Sequence, residues 1–437
     1  MNLPTISWNY LKGKPLNTFL NVFLLALGIA IIIVLLLVSR QVEENLTKNA
    51  RGIDLVVGAK GSPLQLILSS IFHIDFPTGN VPLEEAEKLL NHRLVKNAIP
   101  LALGDNYGGF RIVGTSDEYT NLYDAEIAEG EIWEEHFETT LGSEVAVKSG
   151  LKIGDEFYSA HGISDGGHSH DTEPFVVVGI LKPTGSAVDN LIFTNVETVW
   201  LSHEDGMVVE EDSTAVSVPT TTTIRPAFGV RPSGTTASQR KLKLGNTERD
   251  PSIPLAGKEI TSMFIQYRSP LGAVQLPRYV NSQSSMQAAS PAFETARLFT
   301  LIGVGVDVMQ GFAYLIIFIS ALSIFIALYN ALKERKYDLA IMRSLGASKQ
   351  KLFIHVILEG IIITSLGAIF GLLLGHGMVE LLGAIFEQSG QLGVTGRQFL
   401  KAELIIIAGS LIIGIIAALI PAIQSYRTDI SKVLAQG

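Results

Sequence analysis

The 437-residue sequence has no cysteine, which excludes disulfides, thiolate metal sites and cysteine nucleophiles. It has no G-x-x-x-x-G-K-[ST] phosphate loop, so this chain does not cradle ATP in that manner, and no H-E-x-x-H zinc-protease helix. Charge is scarce too. Asp, Glu, Lys and Arg make up 17% of residues against about 25% in ordinary soluble domains, while 47% are hydrophobic. That deficit points to lipid. An exterior domain without disulfides must rest on an ordinary apolar core, which a stretch of about 260 residues can supply.

What is present confirms the lipid reading. Four windows, 16–38, 312–332, about 356–378 and 404–423, each reach the roughly 20 residues a helix needs to span hydrocarbon. Lys12 and Lys14 precede the first window, but its apolar run is too long for a cleaved leader and no small-residue cleavage pattern follows, so an uncleaved signal anchor is expected. Orientation follows from the short flanks. Residues 1–17 carry two lysines and no acid. Residues 333–351 carry Lys333, Arg335, Lys336, Arg343, Lys349 and Lys351 against Glu334 and Asp338, and the tail carries Arg427 and Lys432 against Asp429. All three flanks, and with them both termini, are expected on the cytoplasmic side. Residues 41–300 are then exterior. They hold 20 Lys and Arg against 34 Asp and Glu, a net of −14, so the overall charge of −9 conceals an acidic exterior and basic inner flanks.

The expected fold class is an integral membrane protein with four transmembrane α-helices and a large extracytoplasmic α+β domain inserted between helices 1 and 2. Its parts are a cytoplasmic N-terminus and first span (1–40), the exterior domain (41–300), a stalk and second span (301–332), a cytoplasmic helix (333–351), the third span (352–378), an outer loop (379–403), the fourth span (404–423) and a cytoplasmic tail (424–437). Within the exterior domain, DLVVGAKG reads as a strand, PLQLILSSIFHI as a helix near the membrane and PLEEAEKLLNH as an amphipathic helix. FRIVG, SEVAV, GDEFYSAH and PFVVVGIL read as short strands between Gly, Asp and Pro turns, and EITSMFIQYR as another. Residues 213–258, rich in Ser, Thr, Pro and Gly without an apolar period, read as a mobile insertion with too little to bury. No strong helix breaker occurs from Pro291 to Leu332, so the second span is expected to extend outward as a stalk.

The stretch ERKYDLAIMRSLGASKQKLF, residues 334–353, lies between two spans. Tyr337, Ile341, Ser344, Leu345 and Ser348 recur at three- or four-residue spacing, a narrow apolar stripe flanked by Arg335, Asp338 and Arg343. Gly346 is placed to end that helix and Ser348 to cap the next. Charge alone would make this a topological anchor. A pure anchor, however, has no use for a stripe with a defined stop.

The same stretch resembles the signature of the FtsX/MacB-type permeases of ABC transporters, E-R-x-x-x-[IL]-A-[IL]-x-R-x-[LM]-G-A, at Glu334, Arg335, Leu339, Ala340, Ile341, Arg343, Leu345, Gly346 and Ala347. VILEGIIITSLGAIFGLLLG resembles the family's third span, IPAIQSYRTDISKVLAQG its Pro-Ala exit and tail, and SEVAVKSGLKIGDEF and PFVVVGIL its exterior domain. The resemblance implies a bacterial inner-membrane, multi-pass permease subunit with no cofactor of its own, working with a separate ABC ATPase that binds ATP and magnesium. It implies that Glu334, Arg335, Asp338, Ile341, Arg343, Leu345, Gly346 and Ala347 form the ATPase-coupling helix, and that the subunit works as a lever for export or extraction at the outer side. A permease homodimer is implied, since two ATPases require two docking helices. Membrane lipids and an extracytoplasmic protein are further expected partners, nucleic acid is not, and residues 213–258 do not fit the family pattern.

Other chemistry carries weaker signals. Gly367, Gly371 and Gly375 stack on one face of the third span and permit close helix contact, either with a second copy or within this chain. His161, His168, His170 and Asp171 crowd one turn, HGISDGGHSHDTE, whose imidazoles and carboxylate suit zinc, although a polar hairpin loop that binds nothing has the same composition. Gly162 to Gly166 matches G-x-S-x-G without the strand–helix context a nucleophile elbow requires. Glu359, His376 and Asp307 are ionisable and close to lipid, and are expected at interfaces. Two other function classes compete with transport: a signalling scaffold that switches an exterior partner or responds to metal, and a passive membrane-anchored metal-binding protein with no ATPase.

Overall fold

The computed structural model describes residues 3–161, 173–204, 240–247, 249–387 and 394–427. The chain divides into two units, Met1–Asn45 with Arg297–Gly437, and Leu46–Ala296.

The first unit is helical. A short helix α1 (Leu3–Gly13) precedes α2 (Pro15–Asn49). After the second unit come α9 (Pro291–Glu334), α10 (Lys336–Ser344), α11 (Lys349–Glu387) and α12 (Lys401–Arg427), while α3 to α8 belong to the other unit. Four of these helices, α2, α9, α11 and α12, are long and apolar enough to cross a membrane. With the α+β domain inserted between the first and second, this is the expected fold class. Helix α9 runs 44 residues without a break. At 1.5 Å per residue that is about 66 Å, roughly twice the hydrocarbon thickness.

Glycine sets how closely these helices approach. A Cβ on Gly367 would lie 2.7 Å from Leu25, one on Gly371 2.7 Å from Ile29 and 2.9 Å from the Ala26 carbonyl, and one on Gly375 2.7 Å from Ile33. The three stacked glycines of α11 are therefore the groove into which Leu25, Ile29 and Ile33 of α2 fit, so their close contact is within this chain. Asn21 of α2 accepts a hydrogen bond from Ser323 of α9 at 2.6 Å, and Gly360 and Gly414 bring α11 against α12.

The second unit is built on a mixed sheet. Its strands are β1 (Leu55–Ala59), β2 (Val81–Pro82), β3 (Val95–Tyr107), β4 (Phe110–Gly114), β5 (Ile127–Gly130), β6 (Glu138–Leu141), β7 (Glu156–Phe157), β8 (Ala160–His161), β9 (Phe175–Leu181), β10 (Leu191–Thr194), β11 (Glu259–Ile260), β12 (Ser262–Tyr267) and β13 (Met286–Ala289). The main sheet runs β13-β1-β12-β3-β4-β10-β6-β9-β5, with β7 on β9 and β8 on β3. Pairs β10–β4 and β6–β9 are parallel and the others antiparallel. Alternation along β1 and β12 sends Leu55, Val57, Met263 and Ile265 to one core, with α4 (Leu83–Leu90), α7 (Val196–Glu204) and α8 (Gly272–Gln283). Val56 and Phe264 point the other way, where α3 (Pro63–Ser70) buries Leu66 and Ile67 and the Tyr119 ring of α5 (Asp117–Leu122) lies 5.6 Å from that of Phe264.

Two expectations are corrected here. SEVAV is not a strand but the start of a two-turn helix, α6 (Ser143–Ser149), closed by Gly150 at φ +74°. Val145 is fully buried while Val147 is 77% exposed, which a strand with its odd residues on one face would not allow. Residues 240–258 do bury apolar side chains: Leu242, Leu244 and Ile253 enter the core beside α4 and α7, and Arg240 bonds the carbonyls of Leu90, Val95 and Lys96. The remainder of that insertion, 213–239, lies outside the described residues. The expected helix 63–74 forms at 63–70, and its apolar side is taken up by the sheet.

Gly371→Val should force α2 and α11 apart and lower stability by about 1–3 kcal/mol. Gly377→Val, where an added Cβ meets nothing within 4 Å, should not. Thermal unfolding of both variants in detergent checks this, and equal midpoints would contradict the packing.

Candidate functional site

Helix α9 stops at Glu334, and Arg335, at φ −98° and ψ 10°, makes the corner from which α10 departs. The helix ends in a Schellman arrangement: the N–H of Gly346 donates to Arg343 O and that of Ala347 to Met342 O, both at 3.0 Å, with Gly346 at φ +99°. Ala347 is buried, the apolar contact that accompanies such a turn. The Ser348 hydroxyl then accepts from Lys351 N at 3.3 Å and caps α11.

Helix α10 has two apolar sides. Leu339 and Ala340 are buried, Leu339 against Leu332, Leu352 and Met342. Tyr337, Ile341 and Leu345, four residues apart and so on one face, are 50%, 37% and 82% exposed. Asp338 is exposed and Arg343 half-buried beside them, and Glu334 pairs with Lys14.

A buried ion pair holds the helix from behind. Arg335 Nη1 donates to Glu359 Oε1 at 2.9 Å, with the two side chains 16% and 5% exposed. The guanidinium lies 3.9 Å from the centroid of the Tyr10 ring. His355, one turn before Glu359 on α11, has Nε2 3.6 Å from the same carboxylate oxygen and Nδ1 2.7 Å from Ser7 Oγ. Burial raises the Tyr10 phenol above its ordinary range, and Asp338 adds to the effect. Segments α1, α9–α10 and α11 thus converge on one arginine. Beside this junction, Gln350, Phe353, Ile354, Ile423 and Tyr426 line an apolar hollow of about 490 Å³ between α11 and α12.

All eight coupling residues implied by the resemblance fall on this connector, and Gly367, Gly371 and Gly375 lie elsewhere on α11, against α2. Sequence reading singled out both Glu359 and Arg335 but not their pairing, and it missed Ser7, Tyr10 and His355 altogether. Glu359 is buried by protein rather than left bare at an interface. His376 meets Gly396 O at 2.5 Å and Glu403 Oε2 at 2.9 Å, while Asp307 is exposed. His161 ends β8, whereas His168, His170, Asp171 and the G-x-S-x-G match lie outside the described residues. Among the described residues no group of three or more metal-ligating side chains comes together.

Comparison with known proteins gives two family matches. The FtsX-like permease C-terminal model matches residues 311–430, and the MacB-like periplasmic core domain model matches residues 18–230. Among solved structures, the periplasmic region of MacB from Actinobacillus actinomycetemcomitans is similar at 9% identity, over 58% of this chain and 95% of that one, with a TM-score of 0.32. The extracellular domain of the noncanonic ABC-type transporter YknZ from Gram-positive bacteria is similar at 12% identity, over 55% and 99%, with a TM-score of 0.28. No curated protein matches.

The buried pair yields a test. Removing one partner leaves an uncompensated charge, so Arg335→Met and Glu359→Met should each cost about 3 kcal/mol or more, whereas the double variant should recover much of the loss. A double-mutant cycle on unfolding in detergent reads the coupling; additive losses would show that the contact does not hold α10.

Proposed function

Because the chain belongs to the FtsX/MacB-type family of ABC transporter permeases, whose members work with ABC ATPase subunits, we propose that α10 is the surface through which a separate ATPase drives it. The observation that carries this reading is the pairing of the two sides of α10. One side is fixed to its own subunit by Leu339, Ala340 and the Arg335–Glu359 pair. The other leaves Tyr337, Ile341 and Leu345 exposed among the described residues. A helix fixed on one side and apolar on the other suits docking: burial of each such side chain on a partner stabilises by about 1.5–3 kcal/mol, while the clamp passes displacement to α9 and α11.

On this reading, closure of two nucleotide-bound ATPase subunits moves the α10 helices of two permease copies on the cytoplasmic side. Helix α9, continuous from Pro291 to Glu334, carries the motion outward. The work is mechanical export or extraction of a substrate at the outer side of a bacterial inner membrane, with ATP and magnesium held by the partner. Arg343 and Asp338 give the contact its polarity, and no catalytic residue in this chain is required.

Leu345→Asp, at an exposed position, and Arg343→Glu should each abolish co-purification of the ATPase from detergent-solubilised membranes and reduce transport by reconstituted vesicles at least tenfold, with the permease still folded. Unchanged co-purification and transport in both would overturn the docking assignment. ATP hydrolysis without cargo movement in wild-type vesicles would instead favour a signalling scaffold.

A further inference from the structure

Residues 394–400, which lead into α12, are tied to three helices of the first unit. Thr395 exchanges two hydrogen bonds with Gln41 of α2: its N–H donates to Oε1 at 2.8 Å and its carbonyl accepts from Nε2 at 2.9 Å. Gly396 lies against α11, where an added Cβ would sit 2.1 Å from the His376 carbonyl and 3.0 Å from Glu380 N. Its N–H donates to Glu380 Oε2 at 2.9 Å, and its carbonyl meets His376 Nδ1 at 2.5 Å. The Leu400 N–H donates to Glu403 Oε1 of α12 at 2.8 Å. His376 completes the set from a point about 40 Å along α11 from Lys349, its first residue. Its Nε2 lies 2.9 Å from Glu403 Oε2.

A neutral imidazole does not satisfy both of those contacts. The Gly396 carbonyl can only accept, so Nδ1 carries a hydrogen. In the neutral ring the lone pair is then on Nε2, facing an ionised carboxylate that also only accepts. Two lone pairs at 2.9 Å repel. One further proton removes the conflict, whether it rides on Nε2 or on Glu403 Oε2. Glu403 is fully buried, so without that proton its charge would be left uncompensated inside the protein.

The neighbours supply no substitute for it. Glu380, one turn beyond His376, is engaged by Gly396 N, Thr395 Oγ1 and Arg397 Nε, the last at 3.0 Å, so Arg397 is committed to Glu380. From α2 the neutral Gln41 faces the loop. Among the described residues no lysine or arginine pairs with Glu403. The Phe399 ring stacks on the imidazole at 6.2 Å and 7°, covering one of its faces.

We propose that His376 and Glu403 form a proton-binding site, and that the bound proton latches residues 394–400 to α11 and α12. The proposal does not depend on the ATPase reading. With the proton in place, Gly396 O and Glu403 both receive a hydrogen from the one ring. Once it leaves, the ring satisfies only one of them and the loop loses an anchor. The latch is therefore present on the acid side and lost as pH rises through the titration of the pair, ordinary imidazole titrating near 6.5.

The test is hydrogen–deuterium exchange of the full-length chain in detergent at pH 6 and pH 9, read by mass spectrometry in peptides covering 394–403 and corrected for the intrinsic pH dependence of amide exchange. Protection of the wild type should fall at least tenfold from pH 6 to pH 9. Glu403→Gln supplies a permanent donor to Nε2 while its carbonyl still accepts from Leu400, so it should keep its pH 6 protection at pH 9. His376→Ala should be poorly protected at both. Equal wild-type protection at the two pH values overturns the proposal without need of any variant. So does a fall of wild-type size in Glu403→Gln, or an equal fall in peptides covering Gly367 to Gly375, which would report general loosening.

Discussion

The buried pair between Arg335 and Glu359 is the contact on which the rest of the account depends. A carboxylate on an apolar helix is costly unless neutralised, and the corner between α9 and α10 brings Arg335 to it. That requirement fixes the direction in which α10 leaves α9, and the aromatic floor under the guanidinium draws α1 into the same junction. The orientation of α10 decides which residues remain outside. Leu339 and Ala340 go inward, while Tyr337, Ile341 and Leu345 stay on the surface. The uncovered stripe is thus a consequence of charge neutralisation as much as of helical periodicity.

Rigid transmission needs the helices behind the connector to be well seated, and the glycine groove of α11 supplies this. Leu25, Ile29 and Ile33 sit where side chains on Gly367, Gly371 and Gly375 would otherwise be. In lipid the apolar surfaces of helices gain little from burial, so such close contact is a main source of helix association. The groove is filled from within the chain, so it offers no face to a second copy, and a permease dimer would have to use other surfaces.

Much of the architecture was legible because membrane helices announce themselves by length and apolarity, and because the E-R…R-x-L-G-A pattern fixes both a helix and its stop. Gly346 and Ser348 take the cap positions read from the sequence because their roles are local. FRIVG forms the strand β4 at the residues expected. Failures came where tertiary contacts decide. SEVAV has the alternation of a strand, yet Gly142 and Gly150 bound it as a short helix with one valine in the core. Residues 240–258 look too polar to pack, but three apolar residues among them suffice when the core of α4 and α7 leaves a place for each. The partners of Arg335 could not be read at all, because Tyr10 and Glu359 come from segments separated from it by 325 and 24 positions.

The proposal that nucleotide-driven force enters through α10 is open to a direct chemical measurement, because the chain has no native cysteine. Leu345→Cys places a single thiol at the centre of the exposed stripe. A thiol-specific photo-crosslinker at that position, activated in native membranes, should join the permease to a nucleotide-binding subunit, and the yield should change between ATP-bound and nucleotide-free states. A thiol labelled by membrane-impermeant reagents from the outer side of intact cells, with no crosslink to any ATPase, would contradict the account.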